Sequence, residues 1–321
     1  MTVRDRQVRA RGPAPPFRPA PPAMLVLAGI VSVQLGAGLA ARLFAELGPA
    51  GVAGLRLWWS AVIVAIAGGR PAVRAVRSVV ADHAWRDLAV VLAFGVVLGV
   101  MNFSIYQSFA RIPLGVAVTI EFLGPLAVAV LSSHRLLDGA WVVLAAAGVL
   151  LLTQGGAGEA GSASQATGAA RAGPVLGLST EAAGIAFALV AAAGWAAYIL
   201  LSRSTGRRFS GSSGLVIAMV VAGALVTGPA LGAAGPAFSR PSLLAEGLAI
   251  GLLSSVVPYR LELEALRRLP ARVFGILMSL EPAVAALIGL ALLGEALAVR
   301  QWLAVAMVVI ACGGAARYGG G

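Results

Sequence analysis

The chain has 321 residues, of which 59% are hydrophobic and only 12% charged, with a mean hydropathy of +0.92. A soluble domain needs roughly a quarter charged residues to cover its surface, so this is the composition of a membrane protein. The formal charge of +11 is carried by arginine alone, spread between apolar runs rather than gathered in a patch, which sets aside a nucleic-acid partner despite a pI near 11.4. The single cysteine, Cys312, rules out an intrachain disulfide or a thiolate metal site, and His83 and His134 fall in polar connections as solvated residues. No cofactor, metal or catalytic group is expected.

Residues 1–22, MTVRDRQVRARGPAPPFRPAPP, are rich in Arg and Pro and read as a disordered cytoplasmic tail. Crossing a hydrocarbon core of about 30 Å takes about 20 helical residues. That ruler places ten spans at 24–44, 50–67, 87–109, 113–133, 138–155, 179–201, 212–234, 243–266, 270–293 and 298–316. A cleaved signal peptide is the competing reading of the first run, but the run is long for one and nine spans follow. The stretch GGAGEAGSASQATGAARAGP (155–174) is a linker by composition. The expected organisation is therefore a tail (1–22), a first five-helix repeat (23–154), a linker (155–177), a second five-helix repeat (178–317) and a short end (318–321). The fold class is an all-α polytopic membrane protein.

Arginine placement gives the orientation. With the N-terminus cytoplasmic, 17 arginines lie inside and 5 outside, while Arg56 and Arg260 fall within spans. Both termini should face the cytoplasm.

The halves repeat. At an offset of 157, RIPLGVAVTIEFLGP (111–125) lies over RLPARVFGILMSLEP (268–282) with five identities in fifteen, and the Pro113 to Pro125 spacing recurs from Pro270 to Pro282. Five spans per repeat is odd, so the second copy enters the membrane upside down. Inverted repeats are the architecture of many secondary transporters, which hold substrate near the midplane at the repeat interface.

Each repeat also carries an acid in this stretch, Glu121 and Glu281, three register positions apart and so close to one helical turn. Intramembrane acids cost about 2.5–3.5 kcal/mol on insertion scales, so they face a bundle interior or a water-filled pathway. The structural alternative is an acid paired with an arginine for assembly, Arg56 being the candidate. Other polar groups gather on the same bundle: Gln34 in the first span; Asn102 and Tyr106, four residues apart, in the third; Trp195 and Tyr198 in the sixth; Tyr259, Arg260, Glu262 and Glu264 in the eighth. Glu262 or Glu264 could instead neutralise Arg260, Arg267 or Arg268. Gly36, Gly38, Gly95 and Gly99 read as close-packing points between helices.

The stretches QLGAGLAARLF, MNFSIYQSFARIPLGVAVTIEFLGPLAVAVLSS, GWAAYILLSR and SSVVPYRLELEALRRLPARVFGILMSLEPAVAALIGLALLGE together resemble the drug/metabolite transporter superfamily, with two EamA-type five-helix units, and within it the threonine/homoserine exporter branch. The resemblance implies export of small amino acids or related metabolites across the inner membrane by alternating access, driven by protons. By position it implies roles for Asn102, Tyr106, Glu121, Tyr259, Glu262 and Glu281; with Gln34 and Tyr198 from the ring of polar groups, the expected substrate contacts are Gln34, Asn102, Tyr106, Glu121, Tyr198 and Tyr259, and the expected proton-coupling residues are Glu121, Glu281 and Glu262. The partners are a small molecule, protons and lipid, in a monomer or homodimer. Export of a drug, nucleobase or other metabolite is the alternative within the superfamily. A channel would need a continuous wetted pore, and an embedded enzyme would need a nucleophile–base pair or metal ligands in the bilayer, yet no histidine lies in a span and no His-x-x-Glu spacing occurs. Arg260 departs from the expected small polar residue, and as a cation facing the cavity it would alter substrate choice.

Overall fold

The computed structural model describes residues 21–131, 136–153, 175 and 177–318. His134 and most of the expected tail, linker and C-terminal end lie outside them. Among the described residues the chain is helical throughout and forms no strand beyond one isolated bridge, Val175 to Leu178. The helices are α1 (Pro22–Arg42), α2 (Phe44–Ala81), α3 (Trp85–Phe109), α4 (Leu114–Glu121), α5 (Leu123–Leu131), α6 (Leu136–Thr153), α7 (Thr180–Arg208), α8 (Ser213–Ala234), α9 (Pro241–Gly251), α10 (Val257–Leu266), α11 (Ala271–Met278), α12 (Glu281–Leu293) and α13 (Val299–Tyr318). Nine segments among the described residues are long and apolar enough to cross a bilayer, and α6 contributes a shorter apolar stretch, Gly139–Leu152. The protein is an all-α polytopic membrane protein.

Boundaries follow local chemistry. Pro22, Pro241 and Pro282 start helices, where a missing N–H is no loss. Gly48 takes φ 64, a conformation open to glycine, and with Pro49 it kinks α2 near its start. The second span ends where expected, its apolar segment closing at Ile66, but the helix does not end with it. The helix runs on to Ala81, because RPAVRAVRSVVA holds good helix formers and its arginines find water without a turn. The chain turns only at Asp82–Ala84, with His83 exposed at φ 53.

The fourth and ninth expected spans are each interrupted, and at the same register. Pro125 lacks the N–H that would bond the carbonyl of Glu121, and Pro282 lacks the one for Met278. Those carbonyls mark the ends of α4 and α11, whose bounds Leu114–Glu121 and Ala271–Met278 correspond residue for residue at the offset of 157. The eighth expected span is also irregular, passing from α9 to α10 through a π-helical turn at Leu252–Val256.

Helix pairings are symmetric under exchange of the two halves. The pairs α2 with α8 and α6 with α13 join equivalent helices, and α4 with α12 joins the equivalent fourth and ninth spans. The contact of α1 with α10 is matched by that of α7 with α3, and α1 with α12 by α7 with α4 and α5. Glycines set the closest approaches. A Cβ at Gly95 would stand 2.6 Å from that of Val221, and one at Gly99 3.1 Å from the Ala222 Cα. Gly36 packs α1 against Ser254 of the π turn, and Gly38 packs it against Ile288 and Leu292. Small residues thus let the halves interlock.

Candidate functional site

The helix interruptions meet around one cavity of about 250 Å³, a size suited to a small metabolite. Its wall takes residues from both halves, and all eight side chains singled out from the sequence reach it: Gln34, Asn102, Tyr106, Glu121, Tyr198, Tyr259, Glu262 and Glu281. Trp195 joins them, edge-on to Phe122 with ring centroids 5.0 Å apart.

The two acids arrive by different routes. Glu121 is the last residue of α4, while Glu281 is the first of α12, on the far side of its interruption. Both spans break between the two register positions, so the acids stand on opposite sides of the equivalent interruption rather than on equivalent faces of one helix. Glu281 is buried and accepts a 2.9 Å hydrogen bond from Gln34 Nε2. It lies in the first turn of α12, where free backbone N–H groups favour negative charge. It is within electrostatic reach of Glu121 and Glu262, and Glu121 is within reach of Arg56.

Arginine placement differs from expectation. Arg260 does not line the cavity; it is exposed on α10, one residue from Tyr259 and so turned about 100° away from it. The cation in the wall is Arg56. It makes no ion pair with an acid among the described residues; Arg208 pairs with Asp87, Arg240 with Glu46, and Arg267 and Arg268 with Glu264. Glu264 thus neutralises the arginines at the end of α10 and leaves Glu262 to the cavity. Arg56 donates to Asn102 Oδ1 at 2.6 Å and to the Ser254 carbonyl at 3.3 Å, and lies 5.6 Å from the Tyr106 ring centroid. The Ser254 acceptor comes from the π turn, as does the Leu253 carbonyl that takes Ser32 Oγ at 2.8 Å. A π turn leaves backbone groups outside the regular ladder, and here they face neighbouring helices.

Several polar atoms of the wall are buried without a hydrogen-bond partner among the described residues: Gln34 Oε1, Tyr106 OH, Ser254 Oγ and Glu281 Oε2. An unmet buried polar atom costs about 1–3 kcal/mol, so a cluster of them around a cavity marks a place for a polar occupant. Opposite Glu262, Tyr198 and Tyr259 share a 3.3 Å hydroxyl contact near the surface.

One end of the bundle is closed by specific bonds. Glu295, just after α12, accepts from the Leu114 amide at 2.8 Å and so caps α4. Arg42 donates to the Leu292 carbonyl at 2.8 Å. Arg111, buried between α3 and α4, donates to Gln107 O and Oε1 at 2.7 Å each and covers the Phe187 ring at 5.0 Å. Burial lowers the pKa of its guanidinium below the usual arginine range.

Sequence reasoning missed Arg56 as a wall residue, treating it only as a pairing partner; it placed Ser254 and Ser255 among the polar groups of the eighth span without a role, and passed over Ser60 and Glu295. Periodicity on α2 offered one signal, since Arg56 and Ser60 are four residues apart and share a face.

Residues 182–316 match the EamA-like transporter family. The chain is 38% identical over 298 residues to the threonine/homoserine exporter RhtA of Escherichia coli (strain K12), covering 90% of this chain and 89% of that protein. It is 37% identical over 296 residues, with the same coverage, to threonine/homoserine exporter RhtA of Salmonella typhimurium (strain LT2). One solved crystal structure shares the fold with a TM-score of 0.55 at 17% identity, over 91% of this chain and 94% of its own.

Proposed function

Because the chain belongs to the EamA-like transporter family of the drug/metabolite transporter superfamily, we propose that it exports small amino acids of the threonine and homoserine kind by proton-coupled alternating access. The supporting observation is a cavity lined by an acid from each half, Glu121 and Glu281, with unmet polar atoms beside them. A zwitterion needs an acceptor for its ammonium and donors for its carboxylate, and both contacts strengthen away from water.

In this reading Glu121 holds the ammonium or exchanges a proton for it. Glu281 and Glu262 are the further proton carriers, and Gln34, Tyr106, Tyr198 and Tyr259 complete the substrate shell. Residues 23–154 and 178–317 are two inverted repeats that rock about their shared axis, with both termini cytoplasmic in the inner membrane. The symmetric helix pairings support such a motion.

The test is uptake of labelled threonine and homoserine by inverted vesicles, with and without an imposed proton gradient, against vesicles lacking the protein. Gradient-dependent accumulation is expected. No uptake by inserted, folded protein would move the substrate to another metabolite or a drug.

A further inference from the structure

The guanidinium in the cavity wall has a shape that the proposed exchange of protons does not use. A cation inside a membrane is costly, and the cheapest remedy is a neighbouring acid. Acids are close at hand on α4, α10 and α12, yet Arg56 bonds instead to neutral acceptors, the Asn102 side-chain oxygen and the Ser254 carbonyl. These occupy two of its five N–H donors. Asn102 is itself pinned, donating Nδ2 to the Leu98 carbonyl at 2.8 Å, so its oxygen is fixed on Arg56. The Tyr106 ring lies against the guanidinium, and the Tyr106 hydroxyl has no partner.

We propose that Arg56 is the carboxylate anchor of the cavity, held in place by Asn102 and assisted by the Tyr106 hydroxyl, so that a transported molecule must carry a carboxylate. The inference rests on the reading of this cavity as the transport site. A planar guanidinium takes a carboxylate through two parallel bonds, which an ammonium cannot reproduce. The ligand's carboxylate then makes the direct ion pair that no acid among the described residues makes with Arg56, and its ammonium falls to Glu121 and Glu281. Asn102 becomes a positioning residue rather than a direct contact. Its Oδ1 is occupied by the arginine, and one of its two amide hydrogens by Leu98.

The experiment is equilibrium binding of threonine and of threonine amide to the purified full chain, followed by intrinsic tryptophan fluorescence, with Trp195 in the wall as a reporter. The amide keeps the ammonium and hydroxyl and removes the negative charge. The parent is expected to favour threonine at least tenfold. In Arg56→Gln that preference falls to near one or reverses, chiefly through weaker threonine binding. Arg56→Lys retains the charge without the fork and keeps a preference reduced severalfold, which serves if Arg56→Gln does not fold. Loss of both ligands by the same factor in these variants would make Arg56 structural and overturn the anchor. So would a threonine preference unchanged in both, or a parent without any preference. A parent that binds neither threonine nor the amide sinks the amino-acid reading, and the anchor with it.

Discussion

Replacing Gly115 with alanine tests the crossing of α4 and α12, on which the placement of Glu121 and Glu281 depends. A Cβ at Gly115 would stand 2.6 Å from the Cα and Cβ of Ala286 and 2.9 Å from its backbone nitrogen. Carbon atoms in contact sit about 3.5–4.0 Å apart, so the shortfall is about 1 Å. The obstacle is helix backbone, which cannot swing aside as a side chain does. Overpacking of this kind costs about 1–3 kcal/mol, and the better helix propensity of alanine returns up to about 1 kcal/mol.

The expected net loss is about 1–2 kcal/mol, with a fall in transport beyond the loss of folded protein, because the two helices must part where the cavity is formed. Gly206→Ala in α7 is the control. A Cβ there meets nothing within 4 Å, so the change should be neutral or stabilise by up to about 1 kcal/mol. Thermal unfolding of the purified variants in one detergent, with vesicle uptake normalised to folded protein, reads both effects. The reasoning is refuted if Gly115→Ala is as stable and active as the parent, or if Gly206→Ala loses as much.

Glu295→Ala uncaps α4 and should cost about 1–2 kcal/mol in the same unfolding assay; Glu295→Gln, which can still accept from the Leu114 amide, should recover about half of it, and equal losses would contradict the capping role. Glu281→Gln should abolish gradient-driven accumulation while leaving the fold intact, as judged by an unchanged elution profile and melting temperature. Glu264→Gln removes exposed pairs with Arg267 and Arg268, so neither melting temperature nor uptake should change; a loss of uptake would place Glu264, rather than Glu262, in the proton pathway.

The architecture was legible because lipid enforces simple rules. Long apolar runs gave the spans, and the RIP and RLP stretches gave a register that α4 and α11 obey residue for residue. The eight polar residues reached one cavity because polar groups in a bundle have few other places to go. Three features were less legible. Helix α2 outlasts its apolar segment, since hydropathy reports the bilayer and not the helix. Arg260 drew notice because it stands where a small polar residue is expected, but it is turned away from the cavity that its neighbour Tyr259 lines, and the wall cation comes from Arg56 on another helix. Glu295 lies far in sequence from the Leu114 amide it caps, and nothing local in either segment announces that bond.

The central claim is that the acids of this cavity couple protons to amino-acid movement. It is tested most directly in proteoliposomes holding purified parent or Glu121→Gln protein, with labelled threonine and an imposed pH gradient. The account predicts that the parent accumulates threonine with the gradient and that Glu121→Gln does not, even where it still exchanges threonine across the membrane. Accumulation by Glu121→Gln equal to the parent's would contradict it.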